Sequence, residues 1–322
     1  MLEIIETGFL ITIQDGGRTG WRRYGVPLSG AMDRFALAAA NHLVGNPAAT
    51  AGLEAAVSGC RFRADEDLLV AVGGPGWALE VEGRELPGWM AAKINAGDCF
   101  SLVTSGKGRW GYLAIHGGLE VAPVMGSRST YLRAGFGGWQ GRALQSGDRL
   151  PVRAAPAAII DGLASRQLEE AALPDYRDAI TVGVIPGPHT GAFTEDGLKT
   201  FFHSQYLISE NSDRMGYRLD GQTIGLRSRA DVLSQGVMPG AIQVPADGRP
   251  MVLMSDAQTT GGYALIGVVI RADLPRLAQL MPGGRIRFRE VTVAEAESLL
   301  EKQLANLAVE LVGQEDEAAN VF

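Results

Sequence analysis

The sequence predicts a mainly β protein made of two β domains, a few short helices and a C-terminal helix. Two observations carry that expectation. Short apolar stretches separated by turns recur through both halves of the chain. The 43 glycines among 322 residues follow no collagen-like period, so they mark turns rather than low complexity. Many short strands between glycine-rich turns indicate a sandwich or barrel rather than alternating β/α units.

Taken in order, LEIIETGFLITI at residues 2–13 reads as two short strands around Thr7-Gly8. The loop Gln14–Gly20 follows, with Asp15 and Arg18 in it, and the stretch from Arg22 to Gly30 has no apolar period. Asp33 is the expected N-cap of the first helix, whose apolar face repeats at Leu37, Ala40 and Val44 and which stops at Gly45-Asn46-Pro47. CRFRA, LLVAVGG, ALEVEG, CFSLVTSG, WGYLAIHGG and DRLPV are strand candidates between residues 54 and 152. The alanine-rich and then polar stretch 156–178 reads as a linker between a domain at 1–155 and one at 179–322. In the second domain AITVGVIP is a strand, Thr194 and Asp273 cap short helices, and RIRFREV is the closing strand. Ser146-Gly147-Asp148-Arg149 and Pro282-Gly283-Gly284-Arg285 end the two halves in similar turns. Thr292-Val-Ala-Glu295 is a capping box before a helix with Leu300, Leu304, Leu307 and Leu311 on one face. The last ten residues read as a frayed tail.

Composition narrows the function. A formal net charge of −7 argues against a nucleic-acid partner. Cys60 and Cys99 form no CxxC pair and read as reduced thiols. No signal peptide and no membrane-spanning apolar run is expected, which suits a soluble, cytoplasmic protein. His42, His116, His189 and His203 lack metal-ligand spacing, so no metal site is expected. Gly73-Gly74-Pro75-Gly76 and Gly106-Lys107-Gly108 match neither familiar nucleotide loop, and there is no GxSxG elbow.

Three stretches concentrate polar chemistry. Residues 126–142 set Arg128, Arg133 and Arg142 among glycines and hydroxyls, either as an anion site or as a surface loop clamped by its own hydrogen bonds. SENSDRMGYRLDG at 209–221 places Asp213 beside Arg214, with Tyr217 and Arg218 close in sequence. That set suits an anionic planar group, or else a bracing Asp–Arg pair. PGAIQVPADGRPMVLMSDAQTTGGY at 239–263 ends a strand in Ser255, Asp256, Gln258, Thr259, Thr260 and Tyr263, which is either a pocket wall or a loop capping its own backbone. The stretches supply acid, base and oxyanion candidates but no obvious nucleophile. They suit stabilising or transferring an acyl, carboxyl or phosphoryl species.

These three motifs, together with ITIQDGGRTGWRRYGVPLSGAMDRFALAAANHLVGNPAATAGLE at 11–54, resemble the allophanate hydrolase subunit 2 family in the same order. The resemblance covers roughly residues 2–290. The family includes the C subunit of the bacterial 5-oxoprolinase, the antagonist of a sporulation-kinase inhibitor, and part of the carboxyltransferase domain of urea carboxylase. It implies cyclophilin-like β-barrels for both domains. It implies ATP-dependent opening of 5-oxo-L-proline to L-glutamate together with the A and B subunits of that enzyme, ATP acting through the complex. Two alternatives are a biotin-dependent carboxyltransferase acting on urea or a related amide, and a regulator that binds an inhibitor-type homologue of the B subunit. Beside this resemblance, Asp213, Arg214, Asp256 and Gln258 are the expected catalytic residues. Asp15, Arg18, Tyr217, Gln243, Thr259 and Tyr263 are the expected ligands of a small amide substrate.

Overall fold

A computed structural model describes residues 1–227 and 231–305. The described residues divide into two compact units, one of residues 1–19, 29–174 and 304–305, the other of residues 20–28, 175–227 and 231–303. Both are mainly β. No helix among the described residues is long and apolar enough to cross a membrane.

In the first unit the strands form two antiparallel sheets. One runs Arg149–Leu150, Leu2–Glu6, Cys60–Ala64, Cys99–Thr104, Trp77–Val81, Arg84–Leu86 across the sheet. The other runs Leu10–Gln14, Gly52–Ala56, Trp110–Ile115, Leu68–Gly73, Ala91–Ile94. Leu2, Ile4 and Phe62 of the first sheet meet Ile13, Val70 and Leu113 of the second in one core. The two sheets differ in pattern for a physical reason. Cys60–Ala64 has one buried face, so Arg61 and Arg63 alternate outward. Leu68–Gly73 and Trp110–Ile115 are buried throughout, because the helix Arg34–Leu43 covers their second face with Phe35, Ala39 and Leu43.

The stretch expected to be a linker corrects that expectation up to Pro174. Residues 157–163 form a helix, and Ile160 and Leu168 are buried with Leu69 and Ala71 in the first unit's second cluster. Ile159, Leu163 and Leu173 pack against the same cluster.

The second unit closes into a barrel. Among the described residues, Ala179–Pro186, Arg285–Glu290, Tyr206–Ile208, Gly216–Asp220, Met251–Leu253, Ala241–Val244 and Thr260–Val269 pair in that order, and the last returns to the first. Ala179–Pro186 with Arg285–Glu290 is the parallel pair of the ring, and the others are antiparallel. Closure leaves no ring strand with an open edge. An eighth strand, Asp231–Gly236, pairs with the start of Thr260–Val269.

Caps follow sequence closely. Asp33 accepts from the Ala36 N–H at 2.9 Å and Thr194 from the Gly197 N–H at 2.9 Å. Thr194→Ala is expected to cost about 1 kcal/mol in urea unfolding; an unchanged midpoint would mean the helix Glu195–His203 is held by packing alone. Asp273 differs from expectation. It makes no cap bond, because its Oδ2 accepts from the Gly183 N–H at 2.7 Å and its Oδ1 from Arg276 at 2.9 Å. Thr292 caps Glu295 as expected, while the Glu295 side chain turns to Arg289. The helix over 293–305 contains Leu300 and Leu304; Leu307 and Leu311 lie outside the described residues. The two similar turns both carry a glycine in the left-handed region, with φ of 88° at Gly147 and 82° at Gly283, where a side chain would be strained.

Candidate functional site

The ten residues expected at a site divide between the units: Asp15 and Arg18 belong to the first, the other eight to the second.

In the second unit the backbone ladder between Gly216–Asp220 and Met251–Leu253 runs on past the strand ends. The Met254 N–H donates to the Met215 carbonyl at 2.9 Å and the Asp256 N–H to the Arg214 carbonyl at 2.8 Å. That register sets the side chains of Arg214 and Asp256 opposite one another. Arg214 Nε donates to Asp256 Oδ2 at 2.8 Å and Nη2 to Oδ1 at 3.2 Å, a two-pronged pair with both side chains 7% exposed. Asp213, next to Arg214 in sequence, is exposed. Its Oδ1 accepts from the Met215 N–H at 2.8 Å and the Gly216 N–H at 3.2 Å, closing the turn into the strand. The bracing carboxylate of Arg214 is therefore Asp256 rather than its neighbour.

Gln243 is fully buried in the strand Ala241–Val244. A bulge between Ile242 and Gln243 shifts this strand's pairing with Thr260–Val269, the kind of irregularity that re-aims a side chain. Gln258 Nε2 donates to Gln243 Oε1 at 3.3 Å. Gly261 packs against the same amide: a Cβ there would lie 2.3 Å from Gln243 Nε2. Gly261 carries no positive φ, so it is the close approach that calls for glycine. The Thr259 carbonyl accepts from the Val237 N–H at 3.0 Å. Tyr263 is 40% exposed on the strand that follows. Tyr217 is fully buried with its hydroxyl donating to the Ala278 carbonyl at 2.7 Å. That bond satisfies the last carbonyl of the short helix Leu274–Ala278. His189 Nδ1 accepts from the Leu265 N–H at 3.1 Å, which leaves the proton of a neutral ring on Nε2.

In the first unit Asp15 is a hub. Its Oδ1 accepts from the Gly17 N–H at 2.8 Å and from the hydroxyls of Ser127 and Ser129, and its Oδ2 from the Arg128 N–H at 2.6 Å. Arg18 is fully buried, donating from Nε to the Val124 carbonyl at 3.0 Å and from Nη2 to the Ser129 carbonyl at 2.6 Å, with its guanidinium 4.8 Å from the Phe136 ring centre. Both residues pin the loop 124–136.

Of the three loop arginines, Arg128 also donates Nε to the Val121 carbonyl at 2.8 Å, and Arg142 grips Asp148 with two bonds of 2.7 Å. Those contacts clamp the loop to itself, and Arg133 sits in the short turn Leu132–Ala134. The Arg142 bonds hold the Asp148 carboxyl below its ordinary value of 3.8. A carboxyl depressed on folding stabilises above the unfolded value and loses that contribution as pH falls through the folded one. The stability gap between wild type and Arg142→Ala is therefore expected to be present at pH 7 and to be smaller at a pH below the ordinary carboxyl value of 3.8. Urea midpoints at the two pH values check this, and an undiminished gap in acid would show that the pair contributes by packing.

One polar network lies outside the three stretches that the sequence marks. Glu54, buried in the strand Gly52–Ala56, accepts from the Tyr112 hydroxyl and the Met32 N–H at 2.8 Å each, and Tyr112 in turn accepts from the Asp33 N–H at 2.7 Å. Burial, then the charges of Glu54 and Asp33, push the Tyr112 phenol well above its usual range, so it remains a donor. A lone carboxylate within an apolar five-residue strand is the signal that marks it. Among the described residues no cluster has the composition of a metal site.

A family model described as carboxyltransferase domain, subdomain A and B, matches residues 24–290. The 5-oxoprolinase C subunit of Escherichia coli (strain K12) is 39% identical over 92% of this chain and 93% of its own length. Its Haemophilus influenzae namesake is 35% identical over 94% and 95%. The urea amidolyase of Saccharomyces cerevisiae is 29% identical over 94% of this chain but 17% of its own. The crystal structure of the K. lactis urea amidolyase superimposes with a TM-score of 0.89 at 29% identity, and this chain spans 20% of that one.

Proposed function

The chain belongs to the carboxyltransferase domain A and B family, and from that premise we propose that it is the C subunit of an ATP-dependent 5-oxoprolinase. In that reading it opens 5-oxo-L-proline to L-glutamate in a complex with the A and B subunits, in the cytoplasm. One observation carries the choice: the likeness to the C subunit of 5-oxoprolinase runs almost end to end in both chains.

Opening a lactam requires polarising its carbonyl, excluding stray water and orienting the attack. Gln258, held by its bond to Gln243 Oε1, offers an amide donor and acceptor that match the carbonyl and N–H edge of a lactam, with Thr259 and Tyr263 close to it in sequence. Arg214 and Asp256 hold the loop that carries Gln258. Asp213 shapes the turn before Arg214, while Asp15, Arg18 and Tyr217 brace the fold rather than touch substrate. ATP supplies the activation of the lactam oxygen through the other subunits of the complex. The two glycine loops of this chain do not fit phosphates: residues 73–76 link the strands Leu68–Gly73 and Trp77–Val81, and 106–108 link Cys99–Thr104 and Trp110–Ile115, with no helix following either.

The superposition on a urea amidolyase favours a second reading, a biotin-dependent carboxyltransferase acting on urea or a related amide. The Gln243–Gln258 pair suits a ureido group as well as a lactam.

The deciding experiment assembles the chain with homologues of the A and B subunits and measures glutamate released from 5-oxo-L-proline with ATP. Turnover is expected only with all three present. Carboxybiotin-dependent carboxylation of urea, without glutamate release, would replace the first reading with the second.

A further inference from the structure

Two buried nitrogens of the second unit, Arg22 Nη1 and Gln243 Nε2, have no hydrogen-bond acceptor among the described residues. Leaving a buried donor unmade costs its full desolvation penalty, and most for a cationic group. Both side chains border Val237. Arg22 Nη2 donates to the Val237 carbonyl. Gln243 Nε2 and Val237 Cγ1 flank the space above Gly261, where a Cβ would lie 2.3 Å from the first and 3.3 Å from the second. Gln258 occupies Gln243 Oε1, so the Nε2 edge is the one left for a ligand. Arg22 sits on the short turn Arg22–Tyr24 at the surface of the unit, with none of the turn's residues fully buried.

We propose that Arg22 and Gln243 form a carboxylate subsite, each donating to one oxygen of a small monocarboxylic acid, with Gly261 leaving room for the Gln243 amide. A single guanidinium beside a neutral amide matches one negative charge; a phosphate dianion would bring an uncompensated charge into a half-buried place. Burial lowers the Arg22 pKa, and a bound anion would reverse that. That the acid is the substrate itself, held by its α-carboxylate, rests on the 5-oxoprolinase reading.

Calorimetric titration of the full chain with 5-oxo-L-proline and with 2-pyrrolidinone, the same ring without the carboxylate, tests the subsite. Wild type is expected to bind the acid at least about tenfold more tightly. Arg22→Gln should erase that preference, and Gln243→Glu should abolish binding of the acid by charge repulsion. Circular dichroism melts identify any variant that fails to fold, and Arg22→Gln alone then decides. Equal affinity of wild type for the two rings, no binding of either, or an undiminished preference in folded Arg22→Gln would overturn the subsite. The proposed activity stands or falls separately on glutamate release: a preference lost in Arg22→Gln without turnover keeps the subsite and removes the activity, and turnover with no such preference does the reverse.

Discussion

Asp256→Ala is expected to destabilise the second unit by about 3–5 kcal/mol, the cost of leaving a buried guanidinium without its carboxylate. The Arg214 side chain is 7% exposed, so its charge is held away from bulk water. The same replacement frees the loop that carries Gln258, so activity should fall for two reasons at once. Measuring urea unfolding beside turnover separates them: normalised to the folded fraction, the remaining loss belongs to the site. Arg214→Lys should also destabilise, since an ammonium cannot reproduce the two-pronged geometry. A paired Arg214→Met/Asp256→Leu variant should recover most of the stability and none of the activity. A loss below about 1 kcal/mol for Asp256→Ala would mean the pair behaves as a solvated surface bridge.

Asp15→Ala should cost the first unit at least about 3 kcal/mol, because several donors around one carboxylate lose their acceptor together. Those donors are two backbone N–H groups and two serine hydroxyls, spread from Gly17 to Ser129. Asp15→Asn should fall between, since an amide keeps one acceptor oxygen. Chemical unfolding of the full chain reads the difference. If instead Asp15→Ala folds with wild-type stability and only substrate affinity drops, Asp15 is a ligand and its place as a brace is lost.

Much of the fold was legible because it depends on local rules. Asp33, Thr194 and Thr292 cap where the sequence puts them, and the alternation in CRFRA gives one buried face. The site was legible as stretches but not as pairs. Asp213 stands next to Arg214 in sequence, yet the turn into Gly216 uses its carboxylate, and the partner comes from a strand end 42 residues on. Adjacency along a chain carries no information about register between strands. Asp273 failed as a cap for a similar reason, since the Gly183 N–H of a barrel strand competes for it. The bulge that aims Gln243 and the braces around Asp15 arise only on tertiary pairing. Glu54 could have been marked from sequence, because a carboxylate costs too much in a buried strand unless donors are waiting for it.

Each unit joins its first strand to one from its far end. Leu2 pairs with Leu150 in one unit, and Ala179 pairs with Arg285 in the other. A nascent chain must therefore carry its opening strand without that neighbour while well over a hundred residues of the first unit are made, on the order of ten seconds of synthesis. The alternating arginines of Cys60–Ala64, which also pairs with Leu2–Glu6, put charge on a neighbour of that waiting strand. Charge of that kind discourages mispairing between copies on one messenger, so the same residues that solvate the finished sheet would also guard it during its assembly.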